Sequence, residues 1–478
     1  MADTRLAHFI NGEFVTPRGS ESLDIINPAT NEVVAEAPIA TAAEIDAAFA
    51  AATAAFESMR TSTPSQRQRW LLQLADSLEE HADEIIDAQH RNTGQPKAAI
   101  RQEEVLGGAD QLRFFAGAAR TLEGRAAMEY LPGHTSYIRR EPLGVIAQVT
   151  PWNYPLAMAI WKIGPAIAAG NTIVMKPSDT TPESTLVLAK LAKDILPAGV
   201  FNVILGDASV GSAMSVHPDA AMVAITGSVR AGQAVAKAAG GELKRTHLEL
   251  GGKAPAIVFA DADLPRTAEL LCAYGFFNAG QDCTAVTRVL VEESIADEFS
   301  DLLVAAAKKV STGNTNEADN EYGPLNNSRH FAAVSEKLEN LPNHATVLTG
   351  GKRVAGNPGF FIEPTVISGV RQDDAIVQEE SFAPILTIQT FESEEEALRL
   401  ANGVDYALAS SVWTSNHGRA GRFARDLDFG CVWINTHMVL CAEMPHGGFK
   451  LSGDGNDLSI YAVEEYTRIK HVMSDITA

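Results

Sequence analysis

The stretch GVIAQVTPWNYPLAMAIWKIGPAIAAGNTIVMKPSD, residues 144–179, decides the fold of this chain. It opens with an apolar run over residues 144–150, continues with a helix-length segment over 156–169, and ends with a second apolar run over 172–175. Short apolar runs that alternate with helix-length segments indicate βαβ units, which build parallel sheets. We therefore predict a strand, a crossover helix and a second strand here.

The same alternation continues toward the C-terminus, where strand-like and helix-length segments follow each other. Strand-like runs span residues 200–205, 222–226 and 256–259, and helix-length segments span 182–196, 209–217 and 231–239. The sequence thus predicts an α/β protein with a doubly wound, Rossmann-like parallel sheet. Because such sheets bind ligands at the carboxyl ends of their strands, the residues at those ends are candidate binding residues. They are Asn153, Lys176, Gly206 and Gly227.

The segments that flank this region are less regular. Residues 8–37 resemble edge strands, whereas residues 41–89 and about 102–120 have apolar side chains at helical spacing. Glu104 and Asp110 lie on the last of these helices, and by default such acids form a solvated helix face.

Two peripheral β-prone segments suggest an assembly. Residues 128–131 and 135–139 surround a Pro-Gly turn and predict a β-hairpin, and residues 466–473 form another β-prone run. If these distant segments pair, they leave a sheet edge for another subunit. We expect a homodimer or a homotetramer.

The predicted domain organisation follows from these segments. Residues 1–121 and 143–249 are expected to form the domain of the doubly wound sheet, which would bind a ligand such as a dinucleotide at its strand ends, and residues 250–450 a second α/β domain that contains Cys283. Residues 122–142 and 455–478 are expected to form small β oligomerisation segments.

Bulk properties exclude several function classes. The net charge of −22 argues against nucleic acid or an anionic membrane as a partner. The four cysteines, Cys272, Cys283, Cys431 and Cys441, show no disulfide framework or zinc spacing, so the sequence predicts no metal site. The N-terminal residues contain no apolar signal core. A reduced, soluble, cytoplasmic protein is expected.

Cys283 is the candidate nucleophile. It ends the run FFNAGQDC, residues 276–283, and a thiol reacts only as thiolate, so other groups must activate it. Alone it could be a small buried hydrophobe. Glu249, which precedes two glycines, could activate a water molecule, and Asn153, held between two prolines, could donate to an oxyanion. The alternatives are a strand-end acid and a turn asparagine.

A dinucleotide site is indicated by GSVRAG, residues 227–232, where a strand gives way to a helix whose N-terminus can bind a pyrophosphate. The usual G-x-G-x-x-G is absent, so an ordinary β–α turn is the alternative. The Lys176 ammonium could bind ribose hydroxyls. The Asp179 carboxylate could accept from them and would repel a 2′-phosphate, which favours NAD over NADP.

The chain resembles the aldehyde dehydrogenase superfamily from end to end. The resemblance rests on several motifs in the family's order: NPAT (27–30), PWNYP (151–155), KPS (176–178), TGS (226–228), ELGGK (249–253), NAGQDC (278–283), ESFAP (380–384) and PHGGFKLSG (445–453). It implies that Cys283 forms a thiohemiacetal and then a thioester, that Asn153 and the Cys283 N–H hold the oxyanion, and that Glu249 activates the hydrolytic water. Because this glutamate is present, a hydrolytic rather than a coenzyme-A-acylating enzyme is implied.

The resemblance also implies the binding residues. The cofactor-binding set is Thr150, Trp152, Lys176, Asp179, Gly206, Gly227, Ser228, Gly232, Leu250, Glu380 and Phe382. The substrate-tunnel set is Glu104, Asp110, Tyr154, Met158, Trp161, Asp282 and His446. Three departures from the family pattern stand out: Ala383 replaces a glycine, residues 206–209 lack the commoner second glycine, and His446 replaces a phenylalanine.

His446, with the runs GQDC (280–283), FFAGAAR (114–120) and EYLPGHTS (129–136), is similar to the γ-aminobutyraldehyde dehydrogenase branch. An ω-aminoaldehyde carries an ammonium group, which favours carboxylates and aromatic faces. Glu104 or Asp110 could supply this charge. The substrate expected is 4-aminobutanal or another ω-aminoaldehyde. The alternatives are betaine aldehyde or a broad range of aliphatic aldehydes, and a catalytically silent protein on the same fold.

Overall fold

Two large sheets dominate the computed structural model, which describes residues 5–314 and 316–477. In the first sheet, alternate residues of each strand face opposite cores. Ile146 packs into one hydrophobic cluster, while Val145 and Ala147 pack into another on the other face. Because helices cover both faces, the strands are buried on both sides, as a doubly wound sheet requires. The predicted fold class is confirmed.

The first sheet has eight strands among the described residues. Five central strands are parallel, and the edge strands are antiparallel to their neighbours. Across the sheet the order is Glu13–Val15, His8–Ile10, Phe201–Val203, Thr172–Lys176, Val145–Val149, Ala220–Thr226, Arg245–Glu249 and Gly453–Asp454.

The second sheet has seven described strands, all parallel except one at its edge. Their order is Thr346–Thr349, Thr365–Ser368, Ile385–Phe391, Val286–Glu292, Ala254–Val258, Ala409–Trp413 and Cys431–Ile434. The sequence interpretation that grouped residues 256–259 with the first sheet is wrong. Only residues 250–253 separate that strand from Arg245–Glu249, and a parallel neighbour would need a crossover of about a dozen residues.

Helices pack around both sheets. The α-helices are Ala42–Met59, Pro64–Glu80, Ala82–Thr93, Lys97–Ala99, Gly107–Thr121, Pro155–Ala169, Glu183–Ala192, Ala208–Val216, Val229–Gly241, Leu264–Phe276, Ala296–Ala307, Ser328–Glu339, Ala375–Gln378, Glu394–Asn402, His417–Asp426 and Ser459–Glu465. Short 3₁₀ turns span Phe277–Gly280, Glu293–Ile295 and Glu317–Asp319. No described helix combines the length and the apolarity that crossing a membrane requires.

The helix predicted over residues 102–120 differs from a single α-helix. Ile100–Leu106 forms a π-helical turn, and the α-helix begins at Gly107. π-helical turns are rare and occur frequently at functional sites. This turn buries Glu104, so the expectation that Glu104 belongs to a solvated helix face is wrong.

Smaller sheets complete the chain. Met128–Leu131 and His134–Pro142 form the predicted hairpin, and Thr467–Asp475 pairs antiparallel with His134–Pro142 over its whole length. The predicted pairing of distant β segments is thus confirmed. Two-stranded sheets join Ser22–Asn27 to Glu32–Pro38 and Tyr406–Ala407 to Phe449–Lys450.

Arg288 ties the second sheet to a helix end. Its side chain is fully buried and donates to three carbonyl oxygens, those of Lys253 (3.0 Å), Leu400 (2.9 Å) and Ala401 (2.8 Å). Leu400 and Ala401 lie in the last turn of Glu394–Asn402, where carbonyls lack the usual helical partners four residues on, and the Leu400 carbonyl also accepts from the Gly403 N–H. The guanidinium therefore fixes the strand that follows residues 250–253 relative to this helix.

We expect Arg288→Met to lower the free energy of unfolding by roughly 3–5 kcal/mol, because three buried carbonyls lose a charged donor, although that of Leu400 keeps its hydrogen bonds from Gly403 and Gln372. Urea unfolding followed by tryptophan fluorescence measures the loss. Arg266→Met is the matched control: Arg266 is exposed, so this change should stay within about 0.5 kcal/mol. Equal stability of the two variants would contradict the role given to Arg288.

Candidate active site

A cavity of about 510 Å³ opens at the carboxyl ends of the strands of the first sheet. Loop residues that precede or connect the strands of the second sheet also line it. Trp152 and Asn153 follow one strand, Gly227 follows another, and Glu249 ends a third. All three candidate catalytic residues, Asn153, Glu249 and Cys283, line this cavity.

The loop that carries Cys283 has an unusual backbone. Asn278, Ala279 and Gly280 are three consecutive residues with positive φ, at 50°, 59° and 65°. A Cβ at Gly280 would lie 2.2 Å from the carbonyl oxygen of Ala383, so only glycine fits there. Left-handed residues other than glycine cost energy and cluster at functional sites.

The left-handed turn is held from outside the loop. The amide of Asn278 donates to the carbonyl oxygen of Asn153 at 2.9 Å, and the Gln95 amide donates to both that oxygen (2.7 Å) and the Asn278 side chain (2.9 Å). Gln281 donates to the carbonyl of Pro324 at 3.2 Å. Gln95 lies far away in sequence and in no motif, so sequence reasoning missed it.

Cys283 and Glu249 lie side by side, with the thiol sulfur and a carboxylate oxygen within 4.8 Å of each other. Burial raises the pKa of the Cys283 thiol well above its usual range, and the Glu249 carboxylate raises it further. Burial raises the pKa of Glu249 to about 8, with a further contribution from the charge of Asp457. Both groups are therefore neutral at neutral pH, and Glu249 becomes able to accept the thiol proton only in its deprotonated form.

Two donors surround the position expected for an oxyanion. The Asn153 side chain is buried, and one of its amide N–H groups donates to the carbonyl of Gln281 at 3.1 Å, which leaves the second N–H. The backbone N–H of Cys283 makes no hydrogen bond to the described residues. Asn153 and Cys283 line the same cavity, and the oxyanion role of Asn153 stays a prediction.

The cofactor candidates divide into two groups. Trp152, Gly227, Ser228, Leu250, Glu380 and Phe382 line the cavity. Phe382 has a positive φ of 52° and packs edge-on against Trp152, with ring centroids 5.3 Å apart. The backbone N–H of Gly252 donates to Glu380 at 2.9 Å, and burial raises the pKa of this glutamate to about 7.

The remaining cofactor candidates lie outside the lining of this cavity. Lys176 donates to the carbonyls of Pro177 (2.8 Å) and Gly206 (3.2 Å), so its ammonium retains one N–H. Asp179 lies on the loop that follows, and the Thr150 N–H donates to the Lys176 carbonyl at 3.2 Å.

Gly232 packs closely against a neighbouring side chain. It lies in the helix Val229–Gly241, whose N-cap is Ser228, and faces the side chain of Leu250. A Cβ there would lie 2.5 Å from Leu250, so the structure gives Gly232 a packing role. The resemblance implies a cofactor contact because Gly232 ends the glycine-containing run at residues 227–232.

All seven substrate candidates line the same cavity, but Glu104 is not a free carboxylate. It is 2% exposed and accepts from the backbone N–H groups of Leu156 and Ala157, both at 3.1 Å. It thus caps the helix Pro155–Ala169, a role normally filled by a residue adjacent in sequence. Burial raises its pKa to about 8, so the interpretation of Glu104 as a source of charge is corrected.

The other substrate candidates form an aromatic and acidic wall. The Tyr154 hydroxyl donates to Asp282 at 2.8 Å, and the Trp161 indole N–H donates to Gln111 at 2.8 Å. His446 is 1% exposed and lies edge-on to Trp161, with ring centroids 5.2 Å apart. Met158 is buried beside these rings, whereas Asp110 is exposed at the opening of the cavity. Burial lowers the pKa of His446, so its imidazole is neutral.

A buried ionic network near Glu249 escaped sequence reasoning. Lys162 pairs with Asp457 at 2.7 Å, Asp457 contacts His247 at 3.1 Å, and His247 contacts Glu465 at 2.8 Å. Despite its burial, Asp457 has a pKa below its usual range because Lys162 and His247 stabilise its charge. Lys162 is the one charged residue of an otherwise apolar helix, and in the sequence it was the one indication of a buried ionic network.

Comparison with known proteins places the chain in a family. The model of the aldehyde dehydrogenase family matches residues 14–472, and the chain belongs to this family. Betaine aldehyde dehydrogenase from Staphylococcus aureus in complex with NAD⁺ is 37% identical, with a TM-score of 0.95 over 99% of this chain and 95% of that one. A point mutant of that enzyme, also with NAD⁺, has 36% identity and a TM-score of 0.96, covering 99% and 98%.

A third similar structure is a proposed aldehyde dehydrogenase from Burkholderia cenocepacia. It is 36% identical, with a TM-score of 0.96, and the match covers 99% of this chain and 98% of that one. The γ-aminobutyraldehyde branch inferred from the sequence is not confirmed by these names.

Gly252 sets the position of the nucleophile loop. A Cβ at Gly252 would lie 2.0 Å from the carbonyl oxygen of Cys283, so we expect Gly252→Ala to displace this loop. A displacement of about 1 Å costs roughly 100-fold in rate, and we expect at least that loss in aldehyde dehydrogenase kcat/KM. Gly117→Ala is the control, because its Cβ would meet nothing within 4 Å. Full activity of Gly252→Ala would contradict this geometry.

Proposed function

We propose that this protein oxidises a cationic aldehyde, with 4-aminobutanal or another ω-aminoaldehyde as substrate, to its carboxylic acid with NAD. The observation that carries the proposal is the set of acidic side chains that line the cavity near the substrate candidates. Glu103, Asp110 and Asp282 line it together with the aromatic residues Tyr154 and Trp161. An ammonium group favours carboxylates and aromatic faces.

The scarcity of basic residues in the described lining of the cavity supports the same substrate proposal. Among the described residues that line the cavity, Lys337 is the one lysine and there is no arginine. Lys337 pairs with Glu379 at 3.0 Å and donates to the carbonyl of Glu380, on the cofactor side. A substrate with a second carboxylate, such as succinate semialdehyde, would therefore meet acidic groups and, among the described lining residues, find no lysine or arginine available to pair with it.

The cofactor prediction, NAD, is supported by similar enzymes that carry NAD⁺, and the residues here fit that group. Ser228 and the N-terminus of Val229–Gly241 are suited to the pyrophosphate, the remaining Lys176 N–H to ribose hydroxyls, and Glu380 to the second ribose. The Asp179 carboxylate disfavours a 2′-phosphate.

Acylation begins when Glu249, in its deprotonated form, accepts the proton of the neighbouring Cys283 thiol, whose sulfur lies within 4.8 Å of a carboxylate oxygen. The thiolate sulfur then bonds to the aldehyde carbon, and the carbonyl electrons move to its oxygen. That oxygen accepts from the Asn153 amide and the Cys283 N–H, and one such donor is worth about 3–4 kcal/mol. Bound NAD would supply the hydride acceptor, and loss of the hydride from the carbon held by Cys283 and Asn153 would leave a thioester on Cys283.

Hydrolysis reuses Glu249 after it has released the thiol proton to solvent through the open cavity. Its Oε1 is buried without a hydrogen-bond partner among the described residues, so it can accept from a water molecule. The carboxylate takes the water proton as the water oxygen bonds to the thioester carbon. The carbon–sulfur bond then breaks, which releases the acid and restores the Cys283 thiolate.

Betaine aldehyde is the alternative substrate, because two of the similar structures carry that name. Its quaternary ammonium group would favour the same aromatic faces. The two substrates differ in hydrogen bonding, since a primary ammonium donates to carboxylates and a quaternary one has no N–H. A broad aliphatic preference would need neither feature.

An assembly fits the exposed sheet. Its apolar side chains Met128, Tyr130, Leu131, Ile469 and Met473 are exposed in the single chain. We infer a homodimer or a homotetramer built through this sheet. The domain boundaries, a cytoplasmic location, and the absence of nucleic-acid or membrane partners stay predictions.

The substrate proposal predicts the effect of one charge. Asp110→Asn should lower kcat/KM for 4-aminobutanal roughly 2- to 5-fold, the size expected for a partly solvated ion pair, and leave hexanal unchanged. NADH formation with 4-aminobutanal, 3-aminopropanal, betaine aldehyde, succinate semialdehyde and hexanal provides the measurement. Glu123→Gln, an exposed acid away from the cavity, is the control. Preference for hexanal in the unaltered protein would refute the substrate proposal.

The mechanism predicts a pH dependence. With a pKa of about 8 Glu249 is protonated at neutral pH, and a protonated carboxyl cannot accept the thiol proton. We therefore expect kcat/KM for hexanal, which does not titrate, to rise with pH through about 8 and then level off. Glu249→Gln should lower the rate about 10²- to 10⁴-fold and abolish this rise. A profile that is flat from neutral to alkaline pH would count against Glu249 as the base.

A further inference from the structure

Three side chains with metal-ligating atoms meet beside the nucleophile. One ligand atom each from Glu249, Cys283 and His446 lies within 4.8 Å of the other two. The three residues come from the end of a first-sheet strand, the nucleophile loop and the run PHGG. Their separation in sequence is why spacing rules predicted no metal site.

Two of these residues carry buried polar atoms without partners. Nδ1 of His446 and Oε1 of Glu249 have no hydrogen-bond partner among the described residues. The residues are 1% and 2% exposed, respectively. Buried polar atoms are nearly always satisfied, so two unsatisfied ones in one cluster indicate a site that accepts a further group. The mechanism above accounts for the Glu249 atom, but not for His446.

The donor set selects the ion. Thiolate, imidazole and carboxylate are the ligands that Zn²⁺ uses, whereas Mg²⁺ and Ca²⁺ prefer oxygen ligands alone. Two anionic ligands and one neutral imidazole would balance the charge of a divalent cation. Charge balance matters here because an uncompensated buried charge is costly.

The distances are compatible with modest adjustment. Tetrahedral Zn²⁺ with the usual bond lengths holds its ligand atoms roughly 3.5 Å apart. Atoms that are now up to 4.8 Å apart must therefore approach by about 1 Å, within the reach of side-chain rotation. A fourth ligand position would face the cavity, where a water molecule could bind.

We propose that Glu249, Cys283 and His446 form a Zn²⁺ site whose occupation reversibly inhibits the enzyme. Zinc there would hold the thiolate that must attack the aldehyde and the carboxylate that must accept protons. Substrate oxidation and zinc binding would thus exclude each other. His446, which stands where the family usually has phenylalanine, supplies the third ligand of this site.

Inhibition by ZnCl₂ in a thiol-free, non-chelating buffer tests this proposal. We expect His446→Phe, measured against its own uninhibited rate, to raise the Zn²⁺ concentration for half-inhibition at least ~10-fold, since one ligand is lost. Cys441→Ser is the matched control, because Cys441 is an exposed thiol that lines the same cavity. This variant should keep the inhibition of the unaltered protein, and EDTA should restore activity.

CoCl₂ provides a readout that does not depend on turnover. Bound at this site, Co²⁺ should show a thiolate charge-transfer band and the d–d bands of a tetrahedral ion. Cys283→Ala should abolish the charge-transfer band, and His446→Phe and Glu249→Gln should each weaken or shift the d–d bands. The proposal shares residues with the proposed function, and this spectrum separates the two because it needs neither aldehyde nor NAD.

The outcomes are distinct. Equal zinc inhibition of His446→Phe and the unaltered protein, with no tetrahedral Co²⁺ spectrum, would overturn the site and leave a lone thiol as the zinc target. Loss of inhibition in Cys441→Ser would overturn it too, because the metal would then bind at the cavity mouth. A protein that binds Co²⁺ at Cys283 but oxidises no aldehyde would support the site and refute the proposed function.

Discussion

The structure of the site depends on a close contact between two backbones. Gly252 follows the last parallel strand of the first sheet and lies against the carbonyl of Cys283, where no side chain fits. Gly280 makes a similar contact with the carbonyl of Ala383. These contacts place the nucleophile from one sheet beside the base from the other. Any change that separates them would separate Cys283 from Glu249, even if both side chains remained.

Burial gives the site its electrostatic character. It raises the pKa of Cys283, Glu249 and Glu380 and lowers that of His446, so that each of these groups is kept neutral or close to it. Neutral groups avoid the cost of isolated buried charge, and charge then develops only when a proton moves between paired groups. The same arrangement explains why a divalent cation could draw on a thiol and a carboxyl at once.

One carboxylate shows how context assigns a role. Glu104 and Asp110 lie six residues apart and look alike in sequence, as acids on a helix that borders the cavity. The π-helical turn directs Glu104 inward to two helical N–H groups, whereas Asp110 stays exposed at the opening. The first therefore stabilises the helix that carries Trp161, and the second remains available to a cationic substrate.

The sequence by itself determined the alternating strands and helices, the hairpin, and the residues at strand ends, because these follow from local periodicity and from the rule that parallel sheets bind ligands at one edge. It could not decide that Glu104 caps a distant helix or that His446 lies beside Cys283. Those outcomes depend on contacts between residues far apart in the chain. Only tertiary packing fixes such contacts, since burial and hydrogen-bond partners are properties of the folded chain.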